Sequence, residues 1–168
     1  MTRIRNFARL MLSFALLAAG GTAFAQTVAK RSFGTGAFSP LTGDYGGAGQ
    51  GTHLGKQTYA GNVALFPTAH PLVFDWALTV PQENVSADGD KMFFAAFGTV
   101  ELVPLDGTFT IFSAVWTGDF IVLGGTGRFA NIQPADEPLA IVAVNDPFLL
   151  TDPVWTFVWT LEGEIRLR

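Results

Sequence analysis

Apolar residues in this chain recur at every second position, the spacing of a strand with one buried face. The last segment shows it best: Trp155, Phe157, Trp159, Leu161, Ile165 and Leu167 share one face, while Thr156, Thr160, Glu162, Glu164 and Arg166 share the other. Gly163 is the one gap, and a helix would scatter these side chains around its circumference. Leu72, Phe74, Trp76, Leu78 and Val80 predict a second alternating strand, and Phe109, Ile111 and Val115 one face of a third. Further apolar runs lie at Val63 to Phe66, Met92 to Leu102, Phe120 to Leu123 and Leu139 to Val144.

Turn chemistry separates these runs. Ala87-Asp88-Gly89-Asp90 and Leu105-Asp106-Gly107-Thr108 each set an Asp-Gly pair between apolar strands and predict hairpins. Asn145-Asp146-Pro147 and Thr151-Asp152-Pro153 flank Phe148-Leu149-Leu150 and delay entry into the last strand. Gly124, Gly125 and Gly127, followed by Arg128 and Phe129, describe a tightly turned segment whose glycines admit positive φ in a bulge. A phosphate cradle would need a helix after the glycines, and a P-loop a lysine before serine or threonine; neither is present. Arg128 is expected to pair with a neighbouring carboxylate or to pack along the rim. About eight strands, no capped helical stretch, no repeat and no linker predict an all-β domain, a closed antiparallel β-barrel or else a sandwich.

The N-terminus carries an address. Arg3, Arg5 and Arg9 precede an apolar stretch from Leu10 to Ala19, and Ala23-Phe24-Ala25 forms a small-x-small cleavage site. Residues 1–25 are thus expected to be a secretory signal peptide and residues 26–168 a single domain, periplasmic or extracellular. The apolar stretch is far shorter than the roughly 20 residues that span a bilayer, so no transmembrane helix is expected. Removing the leader's three arginines leaves seven basic against 14 acidic side chains, a net charge of −7. That balance argues against nucleic acid and against an anionic membrane as partner. The chain has no cysteine, which excludes a disulfide framework, thiol nucleophiles and thiolate metal sites.

Three segments occur in an order that resembles bacterial secreted proteins with an allene oxide cyclase-like barrel: GTHLGKQTYAGNV (Gly51 to Val63), SADGDKMFF (Ser86 to Phe94) and GGTGRFAN (Gly124 to Asn131). The third also resembles the glycine-rich segment of dirigent proteins. The resemblance implies an eight-stranded barrel of the broad calycin type with an apolar central cavity. Proteins of this kind include cyclases, stereochemistry-directing proteins and chains without known activity. Its motifs mark turns, so no catalytic residue is carried over. After GGTGRFA the chain continues Asn131-Ile132-Gln133-Pro134 where Ala-x-Gly is expected, so the following strand should start late.

Few residues could carry chemistry. His53 and His70 are the only histidines; His53 alternates with Gly55, Gln57 and Tyr59 and is the better candidate for a polar group in a cavity, though a structural hydrogen bond is the plainer role. Asp75, opposite an aromatic face, and Glu101 could titrate unusually if they pointed into an apolar interior; otherwise they face water. Asp88 and Asp90 lack the further regularly spaced oxygens of a calcium loop, so no metal is expected, nor any cofactor. Tyr59, Trp76, Trp116, Trp155 and Trp159 could line a ligand cavity or fill it.

Three readings follow. One is a non-enzymatic exported barrel that binds a small apolar ligand or serves as a structural or interaction module. The alternative is an isomerase or cyclase confining an apolar substrate, with an inward acid such as Asp75 or Glu101 assisting. The third, an outer-membrane barrel, conflicts with short irregular strands and a Leu167-Arg168 terminus. If the aromatic stripe of the last strand faces outward, a homo-oligomer is expected; if inward, a monomer with a filled core.

Overall fold

The computed structural model describes residues 26–167, so the leader segment lies outside the described residues. Eleven strands run in chain order: β1 Gln26–Phe38, β2 Asp44–Gly51, β3 Gly55–Pro67, β4 Val73–Leu78, β5 Gln82–Ser86, β6 Lys91–Pro104, β7 Ile111–Gly125, β8 Gln133–Pro134, β9 Leu139–Asn145, β10 Phe148–Leu149 and β11 Trp155–Leu167. A single 3-10 turn, Gly127–Phe129, follows β7. No helix among the described residues is long and apolar enough to cross a membrane.

All pairings are antiparallel, and they return to their start. β1 pairs with β2 and β11, β2 with β3, β6 with β7, β7 with β9, and β9 with β11. Between β3 and β6 one place is shared: β4 pairs with Val63–Pro67 of β3 and β5 with Gln57–Ala60. β6 meets β4 through residues 97–101 and β5 through 91–94. The result is a ring of eight strand positions in one sheet, which leaves no long unpaired edge.

Alternation puts large side chains inside the ring. The β11 stripe faces inward, with Trp155, Trp159, Leu161 and Ile165 buried. A continuous path of rings crosses the interior: Phe112, Phe148, Trp155, Phe38, Trp116, Trp76, Phe120 and Phe94, with neighbouring centroids 4.0 to 6.4 Å apart. Each such pair contributes about 1 kcal/mol beyond its burial, a substitute for the absent disulfides.

Glycines make room for these rings. Three cross-strand register pairs consist of two glycines: Gly34 with Gly49, Gly36 with Gly47, and Gly98 with Gly118. Trp159 lies over the first, Tyr59 over the second and Trp76 over the third, each so close that a Cβ would collide with it. Trp76 Nε1 also donates to the carbonyls of Thr99 at 3.1 Å and Thr117 at 3.2 Å, pinning its indole across β6 and β7.

Two expectations change. The inward face of β7 is Phe112, Ala114, Phe120 and Val122, all buried, whereas Ile111 is exposed and Phe109 lies in the preceding turn at φ 56°. The observed phase lies one residue from the one that Phe109, Ile111 and Val115 predict, and a slip of one reverses every side chain. His53 sits in the β2–β3 turn at φ 68° instead of on the β3 face.

The β6–β7 turn is organised by Asp106, whose carboxylate accepts hydrogen bonds from the Thr108 and Thr110 hydroxyls and the Thr110 and Ile111 amides. These donors, the Thr108 hydroxyl foremost, hold its carboxyl well below the ordinary 3.8. A carboxyl with a lowered folded-state pKa stabilises above the unfolded value and loses that contribution as pH falls. Thermal melts of Asp106→Ala should therefore lie below the native chain at pH 7, and the gap should narrow below about pH 4.

Candidate functional site

Side chains from around the ring leave an apolar cavity of about 80 Å³. Tyr59 on β3, Trp76 on β4, Trp116 on β7 and Trp159 on β11 line it, with Gln82 and Asn84 of β5 as the polar exceptions. Trp155 lies deeper toward one end, stacked on Phe148 at 4.0 Å. Trp116 Nε1 donates to Asn145 Oδ1 at 2.7 Å. By contrast Trp159 Nε1 and Trp155 Nε1 are buried without a hydrogen-bond partner.

The inward face of β5 is polar throughout: Gln82, Asn84 and Ser86 are all buried. A relay runs along it. Tyr45 Oη donates to Gln82 Oε1 at 2.5 Å, Gln82 Nε2 to Asn84 Oδ1 at 2.5 Å, and Asn84 Nδ2 to Gln57 Oε1 at 3.0 Å. It ends on two free groups, Gln57 Nε2 and Ser86 Oγ, whose residues are direct register partners. Burial pushes the Tyr45 phenol far up, with the neighbouring Tyr59 adding to it. Burial also raises Tyr59, an effect that the edge-on Trp159 indole partly opposes although its Nε1 makes no hydrogen bond of normal geometry. Both phenols are therefore neutral donors, Tyr59 to the Thr35 carbonyl at 3.0 Å.

Lys30 on β1 is fully buried, the one charged residue among the buried described residues. Its Nζ donates to Ser32 Oγ at 2.5 Å and to the Thr52 carbonyl at 3.3 Å. The ion pairs among the described residues are Lys91–Glu83, Arg128–Asp88, Arg128–Asp90 and Arg166–Asp136, and none includes Lys30. Burial lowers its pKa from 10.5 to about 8. Glycines flank it: Gly163 is its partner on β11, and a Cβ on Gly51 would lie 2.9 Å from Nζ. A lysine beside an arginine carries no apolar signal, and only the phase of Val28, Lys30, Ser32 and Phe38 marks Lys30 as inward.

The acidic candidates lie elsewhere. Asp75 and Glu101 are exposed on the outer face, Asp75 opposite Thr99 and Glu101 opposite Val73, so the inward orientation on which their interest depended is not met. His53 is exposed, its Nε2 3.1 Å from the Ala29 carbonyl. Tyr59, Trp76, Trp116 and Trp159, in contrast, converge on the cavity.

The glycine segment closes one end. Leu123 is the extra residue of a bulge opposite Phe93 and Phe94. Gly124 and Gly127 have φ of 145° and 57°, and a Cβ on Gly127 would strike Asp90. Arg128 pairs with Asp88 at 3.3 Å and Asp90 at 3.4 Å, and contacts the Leu54 carbonyl at 3.5 Å. Leu54, Phe129 and Ile132 are buried beneath it. Among the described residues no group of three or more histidine, aspartate or glutamate side chains is placed to hold a metal. Family models, curated proteins and solved structures give no match to this chain.

Proposed function

We propose that the chain is an exported barrel of the calycin type that binds a small apolar molecule bearing one hydrogen-bond acceptor, without transforming it. The carrying observation is an apolar cavity lined by the rings of Tyr59, Trp76, Trp116 and Trp159, the last with an enclosed Nε1 that makes no hydrogen bond of normal geometry and that a ligand would reach by shifting the lining. An unpaired buried donor is costly, and a ligand oxygen would satisfy it. The ring of strand pairings supports the barrel assignment, and the inward β11 stripe favours a monomer. The outer face mixes exposed apolar residues such as Phe33, Phe97, Val142 and Val158 with charged Arg31, Lys56, Asp75, Glu101 and Glu162, and the interspersed charges favour a water-facing wall over an unbroken apolar membrane band. Turnover would need a strong inward acid or base in the cavity; the titratable groups in its lining are Tyr45 and Tyr59, which burial makes still weaker acids, and Lys30 is not among the lining residues.

Size limits the ligand. At about 80 Å³ the cavity is smaller than the ~150 Å³ void that holds benzene in an engineered protein interior. A ring-sized ligand must displace half-buried lining residues such as Leu78, Ile141 or Phe157. Cyclohexanone and toluene, titrated against tryptophan fluorescence, test the reading: both should saturate. Trp159→Phe should weaken cyclohexanone about five- to tenfold, the equivalent of one hydrogen bond of about 1 kcal/mol, and leave toluene unchanged. Absence of saturation by either probe would sink the proposal.

A further inference from the structure

Among the described residues the interior holds one positive charge, Lys30, and nothing negative to meet it. Nζ has left its own strand: it lies over β2, where Gly51 supplies no side chain. About one strand spacing, ~4.8 Å, remains to β3. There Gly55 is the partner of Gly51, over which Nζ and Ser32 Oγ both lie, and Gln57, two residues farther along β3, is the partner of Gly49, so no β2 side chain separates Lys30 from Gln57. Beyond Gln57, on β5, stands Ser86. Gln57 Nε2 and Ser86 Oγ are buried without partners, in residues 3% and 5% exposed. One ammonium, one amide N–H and one hydroxyl therefore occupy the same end of the interior, where a lone cation is stable only with a counter-charge or after losing its proton.

We propose that this end of the ring is an anion site for a carboxylate, with the ammonium of Lys30 as counter-charge and Ser32 and Gln57 as its polar frame. A carboxylate with one oxygen at hydrogen-bond distance from Nζ directs its second oxygen across the glycines of β2 toward Gln57 Nε2, while Ser86, one strand farther on, borders the site behind Gln57. The site adjoins the aromatic cavity through the Gln57–Asn84 bond, and a short acid fills it without entering that cavity. The carboxylate is either a free small acid or the head of a longer apolar acid whose tail enters that cavity. By register, no other titratable side chain among the described residues faces Nζ: β11 presents Gly163, β2 Gly49 and Gly51, β3 Gly55 and Gln57. Arg31, Lys56, Glu162 and Glu164 of these strands point outward, and His53 is exposed in the turn. Leu54 covers the end, so entry requires the Thr52–Gly55 turn to lift.

Calorimetric titration of the full chain with acetate and with hexanoate, at ionic strength matched with sodium chloride, tests the site. At pH 6.5 one saturable equivalent is expected. At pH 9.5, above the Lys30 value of about 8, the apparent affinity should fall about 30-fold as the charged fraction vanishes. Lys30→Met should lower affinity at pH 6.5 at least about tenfold. Equal affinities for the two acids assign the site to a free small acid; a clear preference for hexanoate assigns it to an apolar acid. No saturable binding at pH 6.5, equal binding at both pH values, or undiminished binding by Lys30→Met overturns the proposal. Should that variant not fold, the pH comparison on the native chain decides.

Discussion

Gly98→Ala is expected to destabilise the protein by about 3 kcal/mol, lowering its melting temperature by about 10 °C for a domain of this size. A Cβ at this position would lie 2.0 Å from the Thr117 carbonyl oxygen and 2.5 Å from the Gly118 Cα. Both obstacles are backbone, so no rotamer change relieves them. Moving the Thr117 carbonyl would also break its bond from Trp76 Nε1 and lift an indole that lies against Trp116 and Phe120. Gly107→Ala is the matched control: nothing lies within 4 Å of a Cβ there, and its melting should be unchanged within a degree or two. Equal melting of the two variants would mean that the glycine pairs do not set the strand approach.

Lys30→Met should act in the opposite direction. Lowering the amine from 10.5 to about 8 corresponds to a burial penalty of about 3 kcal/mol for the charged form. Leaving Ser32 Oγ without its partner costs about 1 kcal/mol, so a net gain of about 2 kcal/mol at pH 7 is expected in buffer free of carboxylates. The pH dependence has a definite sign. Between about pH 8 and 10.5 the unfolded state binds more protons than the folded one, so the native chain gains stability as pH rises through that window. The advantage of Lys30→Met should therefore shrink from pH 8 upward. Tyr45 and Tyr59, whose raised values favour the folded state below pH 10, are present in both proteins and cancel in the difference. Urea melts at pH 7 and pH 9.5 measure both effects; a variant less stable than the native chain at pH 7 would show that Lys30 is compensated in the free protein.

The strands that the sequence announces are those in which bulky residues mark the phase. β11 was legible to the residue because tryptophan, phenylalanine and leucine alternate with threonine and glutamate across it. β2, Asp44–Gly51, carries four glycines and no aliphatic side chain longer than alanine, so its inward face is invisible to any apolar count. Its role is to be empty: the rings of Tyr59 and Trp159 occupy the space. β7 misled because Phe109 and Ile111 are bulky yet exposed, while small Ala114 and Gly118 occupy the inward phase. The aromatic half of the candidate site was therefore readable, since tryptophan and tyrosine seldom sit in a strand without being buried. The polar half was not, because Lys30, Gln57, Asn84 and Ser86 belong to types that normally face water.

The central claim is an interior that takes up a small apolar molecule, and native mass spectrometry of the chain purified from its producing cells, followed by organic extraction, tests it most directly. The account predicts one stoichiometric apolar compound carrying an oxygen acceptor, released on unfolding and retained less well by Trp159→Phe. A bare polypeptide mass in every preparation, with nothing extractable and no uptake of cyclohexanone, would contradict it and leave the aromatic interior as packing alone.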